Sequence, residues 1–149
     1  MPTSTAVAPA SAEGDLAPAL RMAVVRLARR LRLEDTASGT TISQLSALAV
    51  VEKHGPIILS DIAARERVQP PTMTRLVANL EAQGLVDRAG DAKDRRLVRI
   101  AVTQAGRAAL EDSRRRRTAF LAEQVRTLSG ADREDLLRAL PILERLADA

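Results

Sequence analysis

The sequence predicts a mainly α-helical fold with one small β-hairpin, and three observations predict it. Hydrophobic residues make up 46% of the 149 residues, yet Phe120 is the only aromatic, so the core must be built from Leu, Val, Ile and Ala. Apolar residues recur at three- and four-residue steps along most of the chain, the period of a helix that buries one face. One interval departs from that period. Leu85-Val86-Asp87-Arg88 and Leu97-Val98-Arg99-Ile100-Ala101-Val102 are rich in β-branched residues and flank a polar, Gly-containing stretch from Ala89 to Arg96, the pattern of two paired strands and their tip.

Taken in order, residues 1–14 are mostly Ala, Pro, Ser and Thr, a composition that predicts a disordered tail. Residues 15–149 then form one domain. Leu16, Leu20, Val24, Leu27 and Leu31 give a first helix over 15–35, with Asp15 as its N-cap and Pro18 in its first turn. Thr41-Ile42-Ser43-Gln44 reads as a capping box, and Gly55-Pro56 as a stop, which sets a second helix at 42–54. After the apolar link Ile57-Ile58-Leu59, Ser60 is expected to cap a short third helix ending near Arg65. Pro70-Pro71 opens a fourth, because a proline at the first helical position lacks only an N–H that has no partner there. This helix runs to Gly84 and turns Met73, Leu76, Val77 and Leu80 inward. Behind the hairpin, Thr103 caps a long helix through Leu110 and Phe120. Ser129 to Asp132 resembles a second capping box, ahead of a last helix with Leu136, Leu140 and Leu143 on its apolar stripe and a kink at Pro141.

Charge narrows the function. The formal net charge is +4, the isoelectric point is near 10.8, and Lys53 and Lys93 are the only lysines among 23 cationic residues, so a basic face toward nucleic acid is the first expectation. The absence of cysteine excludes disulfides, thiolate zinc sites and a thiol redox sensor. No apolar run approaches the roughly 20 residues of a membrane span and no signal peptide is evident, which predicts a cytoplasmic protein without a membrane partner.

Helix, turn, helix and then a charged hairpin is the order of a winged helix-turn-helix, here over 41–103, in which the second helix enters the major groove of double-stranded DNA. Thr72, Thr74 and Arg75 supply the short polar groups and the forked cation that base edges require, and Pro71 lies at the helix start beside them. At the hairpin tip, Lys93, Asp94, Arg95 and Arg96 combine cations suited to a narrow minor groove with a carboxylate that can aim an arginine.

Thr72-Met73-Thr74-Arg75-Leu76-Val77, Leu80-Glu81-Ala82-Gln83-Gly84-Leu85-Val86, Asp94-Arg95-Arg96 and Val102-Thr103-Gln104-Ala105-Gly106 together resemble the multiple-antibiotic-resistance regulator (MarR) family over about residues 15–147. The resemblance implies an obligate homodimer whose terminal helices, 15–35 and 104–149, interleave, and two winged lobes one helical turn of DNA apart. It also implies a pocket between these parts for a small, often aromatic or phenolic, effector. Carried onto this chain, Arg96 is the minor-groove arginine, Asp94 its salt-bridge partner, and Thr72, Thr74 and Arg75 the groove-facing residues. The chain departs from the family at Glu66-Arg67-Val68, where members often have glycine. An arginine held left-handed there costs about 1 kcal/mol relative to glycine.

Other features carry less. Arg114 to Arg117 point about 100° apart around a helix, so they read as a solvated face, with some of them pairing across the dimer. His54, beside Gly55 at a helix C-terminus, reads as an imidazolium favoured by the helix dipole. The chain offers no nucleophile–base pair, no phosphate-cradling loop and no metal cluster, so neither an enzyme nor a cofactor is expected. The leading expectation is a ligand-responsive repressor acting on a pseudo-palindromic operator. The competing one is a helical protein-interaction module whose basic surface only aids solubility.

Overall fold

The computed structural model describes residues 12–35 and 39–149. Along the chain they form α1 (Ala12–Leu33), α2 (Ile42–His54), β1 (Ile57–Ile58), α3 (Leu59–Glu66), α4 (Pro70–Ala82), β2 (Val86–Gly90), β3 (Val98–Val102), α5 (Gln104–Arg126) and α6 (Gly130–Ala147). The sheet is antiparallel in the order β1-β3-β2, with Ile57 opposite Ile100 and Val86 opposite Val102. Among the described residues no helix is long and apolar enough to cross a membrane.

The core sits where α2, α3 and α4 close over the sheet. Leu48, Ile62, Met73, Val77, Leu80 and Ile100 are fully buried, each contributing roughly 1.5–3 kcal/mol by leaving water. Leu110 brings the first turns of α5 into the same cluster. Outside it, the guanidinium of Arg30 on α1 lies 5.0 Å from the ring centre of Phe120 on α5.

Several local expectations hold in atomic detail. Thr41 Oγ1 accepts the Gln44 N–H at 3.2 Å while Gln44 Oε1 accepts the Thr41 N–H at 2.8 Å, a reciprocal box that starts α2 at Ile42. Thr103 Oγ1 accepts the Gly106 N–H at 3.0 Å and starts α5. Ser129 caps α6 by accepting the Asp132 N–H at 3.1 Å, but Asp132 accepts the Ser129 hydroxyl at 2.6 Å, so this end has no reciprocal box. Pro141 lies inside α6.

Other expectations are corrected. The part of the expected tail up to residue 11 lies outside the described residues, and residues 12–14 already belong to α1. Asp15 therefore lies inside α1 and does not cap it, and Pro18 also lies inside the helix. Ser60 is not a cap. Ile57-Ile58 pairs with Arg99 and Ile100 as a third strand, so α3 begins directly from β1 at Leu59 with no side-chain cap. Asp35, just past α1, is only 2% exposed.

The helix-turn-helix turn is the one place among the described residues where a non-glycine residue has a positive φ: Arg67, φ 53° and ψ 41°. The Arg67 N–H bonds to the Ala64 carbonyl at 3.2 Å and the Val68 N–H to the Ala63 carbonyl at 3.0 Å. This pair of bonds closes a helix around a left-handed residue. Val68 then packs against the core, and that contact holds Arg67 in a conformation costing about 1–2 kcal/mol.

Candidate nucleic-acid interface

The interface is built from α4 and from the tip between β2 and β3. Pro70 and Pro71 occupy the first two positions of α4, and Met73, Val77 and Leu80 anchor its inner face with no exposure. Pro71, Thr72, Thr74 and Arg75 are consequently left on the outer face, all exposed. The Thr74 hydroxyl donates to the Pro70 carbonyl at 2.9 Å, so its methyl and acceptor lone pairs are what it presents outward. Thr72 and Arg75 line a shallow groove together with Thr41, Gln44 and Asn79. The capping box of α2 thus borders the outer face of α4, an adjacency that sequence spacing did not reveal.

α4 passes to the wing through a tight turn. The Gly84 N–H bonds to the Glu81 carbonyl at 2.9 Å and the Leu85 N–H to the Leu80 carbonyl at 2.9 Å, with Gly84 at φ 71°. Arg88 on β2 returns to Glu81 on α4 with Nε 2.8 Å from the carboxylate, fixing the strand to the helix. At the base of the wing, the Thr103 hydroxyl donates to the Gly84 carbonyl at 2.6 Å. Gly106 lies so close that a Cβ there would sit 2.1 Å from the Leu85 carbonyl oxygen and 2.8 Å from Val102 Cγ2. The Thr-x-x-Gly spacing is thereby explained: one residue bonds the turn, the other lets α5 pass against it.

The wing tip carries Lys93, Asp94, Arg95 and Arg96 together. Asp94 Oδ1 accepts from the Arg96 backbone N–H at 3.0 Å and from its Nε at 3.2 Å, which pairs these two residues as expected. The Arg96 side chain is nevertheless 91% exposed. Lys93, Arg95 and Arg75 have no carboxylate partner among the described residues. The tip is organised by Asp91, which was not among the expected site residues. Its Oδ1 accepts the N–H groups of Lys93 at 2.7 Å and Asp94 at 3.0 Å. Its other oxygen pairs with Nε of Arg99. The Arg99 contact, then the two N–H groups, hold the Asp91 carboxyl well below the usual 3.8, at about 2. An aspartate two and three residues before free N–H groups is the turn signal that could have found it.

Residues 40–98 match the model of the MarR family. An HTH-type transcriptional regulator of Mycobacterium tuberculosis is 40% identical over 133 residues, 89% of this chain and 93% of that one. The chain belongs to the MarR family. A second relative of this MarR-family chain, the HTH-type transcriptional repressor MdtR of Bacillus subtilis, is 36% identical over 111 residues, 74% of this chain and 70% of that one. The fold also matches a variant of MepR from Staphylococcus aureus bound to an oligodeoxyribonucleotide. That match has a TM-score of 0.70 and 24% identity and covers 88% of this chain and 97% of the other. The winged helix-turn-helix expected from element order is the fold observed, and the protein is a DNA-binding transcriptional regulator, not an enzyme.

Two minor readings change. Of the arginines at 114–117, Arg114 and Arg115 are exposed, as a solvated face requires, whereas Arg116 and Arg117 are partly buried, and each of the four has a partner within the chain. Arg114 reaches Glu52 on α2 at 2.6 Å, and Arg115 pairs with Asp112. Arg116 Nε donates to the Glu34 carbonyl at 3.1 Å, and Arg117 Nε lies 2.8 Å from the buried carboxylate of Asp35. The fully buried Ser113 completes this junction by donating to Asp35 at 2.6 Å. At His54 the shift runs opposite to that expected of an imidazolium. Loss of water around the ring, then Arg65 and Lys53, lower its pKa from the ordinary 6.5.

Proposed function

We propose that this MarR-family protein is a homodimeric repressor that binds a pseudo-palindromic operator in the cytoplasm and is released from it by a small aromatic or phenolic effector. The observation that carries the DNA-binding part is the tip of the wing. Lys93, Arg95 and a 91% exposed Arg96 stand there around one carboxylate that orients the last of them. On this reading Arg96 enters the minor groove, Lys93 and Arg95 contact phosphates, and Pro71, Thr72, Thr74 and Arg75 face the major groove. The fold likeness to a regulator bound to an oligodeoxyribonucleotide and the relationship to the repressor MdtR agree with it.

The homodimer is supported by α6, none of whose residues is buried in the single chain. Leu136, Leu137, Leu140, Ile142, Leu143 and Leu146 are exposed there. An apolar face of that size needs a partner, and a second copy supplies one with the same pattern. The effector is supported by a half-open cavity of about 400 Å³ between α1, α2 and α5. Leu31, Ile42, Leu45 and Leu110 give it an apolar lining, and Arg32, Arg114 and Arg117 give it three cations beside the one carboxylate of Asp35, a balance suited to a phenolate or carboxylate.

Replacing Arg96 by alanine is expected to weaken operator binding by about 1–3 kcal/mol, read by fluorescence anisotropy at fixed salt. Full-strength binding by this variant contradicts the wing assignment. An exposed-patch monomer in solution favours the rival reading of a protein-interaction module.

A further inference from the structure

We propose that Arg99 and Asp91 are positioning residues for the wing, forming a strut that fastens its tip to the body of the lobe and so fixes the direction of Arg96. The inference rests on the reading of the wing as a DNA contact. Arg99 lies on β3 between both neighbouring strands, opposite Ile58 on one side and Ala89 on the other. Its guanidinium holds two different partners. Nη1 donates to the Pro56 carbonyl, in the link before β1, at 3.2 Å, while Nε pairs with the Asp91 carboxylate. Asp91 in turn accepts from the N–H groups of Lys93 and Asp94, and Asp94 accepts from the N–H and Nε of Arg96. A continuous series of polar contacts therefore runs from Pro56 to the exposed arginine.

Two physical points give the strut a purpose. Beyond the pairing of β1 with Arg99 and Ile100 the wing continues as two strands only, weakly held by their own ladder, and an exposed arginine loses rotamer freedom when it enters a groove. Fixing the backbone on both sides of the tip in advance reduces that loss. A carboxylate on a hairpin that faces DNA also repels phosphates, so Asp91, only 9% exposed beside Arg99, weakens binding unless it does something structural. Charge alone and the strut hence give opposite signs for the same substitution. The fork of Arg99 has a further consequence. A lysine keeps the charge, but its single nitrogen cannot hold Pro56 and Asp91 from the two places that Nε and Nη1 occupy.

The test uses the full-length protein and the duplex that in vitro selection with the wild type enriches. Asp91→Asn and Arg99→Lys are titrated by fluorescence anisotropy, each alone and combined with Arg96→Ala. The strut requires Asp91→Asn to weaken binding about fivefold or more although a negative charge is lost, and Arg99→Lys to weaken it similarly although the charge is kept. Neither should have an effect once Arg96 is alanine, because the two act through it. Wild-type or tighter binding by Asp91→Asn, or wild-type binding by Arg99→Lys, overturns the inference. So does a loss of equal size in both backgrounds, which is also what a general folding defect would give. Wild-type binding by Arg96→Ala alone is a different failure, that of the wing assignment itself.

Discussion

Arg67 shows how a single residue can be kept against its own preference. Two backbone bonds to Ala63 and Ala64 and the docking of Val68 in the core require the left-handed conformation, whatever residue stands there. Glycine at this position removes a strain of about 1–2 kcal/mol and adds back less than about 1 kcal/mol of unfolded-chain entropy. Arg67→Gly is accordingly expected to stabilise the protein by about 0.5–1 kcal/mol in urea denaturation. A clear loss of stability would mean that the arginine side chain contributes more than its backbone costs. The departure at this turn was legible in the sequence because a left-handed turn is a local requirement. Asp91 and Arg99 were not, because eight positions separate them and only the closed hairpin brings them together. The buried Asp35 was still less legible. It depends on Ser113 and Arg117, which α5 delivers from the far side of the lobe.

At the scale of elements, the joint between hairpin and α5 controls where the wing stands. Gly106 has no room for a Cβ against the Leu85 carbonyl, which is backbone and cannot swing aside. Gly106→Ala is expected to cost about 3 kcal/mol, seen as a large drop in the thermal midpoint by circular dichroism. A midpoint within a degree or two of the wild type would show that the two segments can separate without loss. Element boundaries followed the local chemistry that sets them. The helices capped by Thr41, Thr103 and Ser129 were readable because one hydroxyl and the N–H group three residues on define each start. β1 was missed because two residues carry no period. Ile57 and Ile58 become a strand only because β3 lies beside them.

At the scale of the whole molecule, the single chain leaves its terminal helices unfinished. α1 exposes Leu16, Met22, Val24, Val25, Leu27 and Leu33, and α6 exposes an apolar face of similar size, whereas the winged lobe buries most of its own and exposes Ile42, Leu97 and Val98. The dimer proposed for the family member follows from that imbalance, which composition and helical period already indicated. Leu140→Asp, in the middle of the α6 face, is expected to yield monomers by size-exclusion chromatography with light scattering. DNA binding should fall with it, since one lobe retains only half of the operator contacts. A dimeric Leu140→Asp protein would place the interface elsewhere. The cavity between α1, α2 and α5 lies at the junction of these two regions, so an effector there can act on lobe spacing only if it binds the two arrangements with different affinity.

The central claim, a dimer that reads operator sequence through α4 and the wing, is tested most directly by titrating the wild-type protein with labelled DNA. One duplex comes from upstream of its own gene and the other is its shuffled counterpart, each taken at several salt concentrations. The expected result is one dimer per native duplex, bound at least about 10³-fold more tightly than to the shuffled one, with an affinity that falls steeply as salt rises. Equal, salt-labile binding to both duplexes, or one monomer per site, would contradict it.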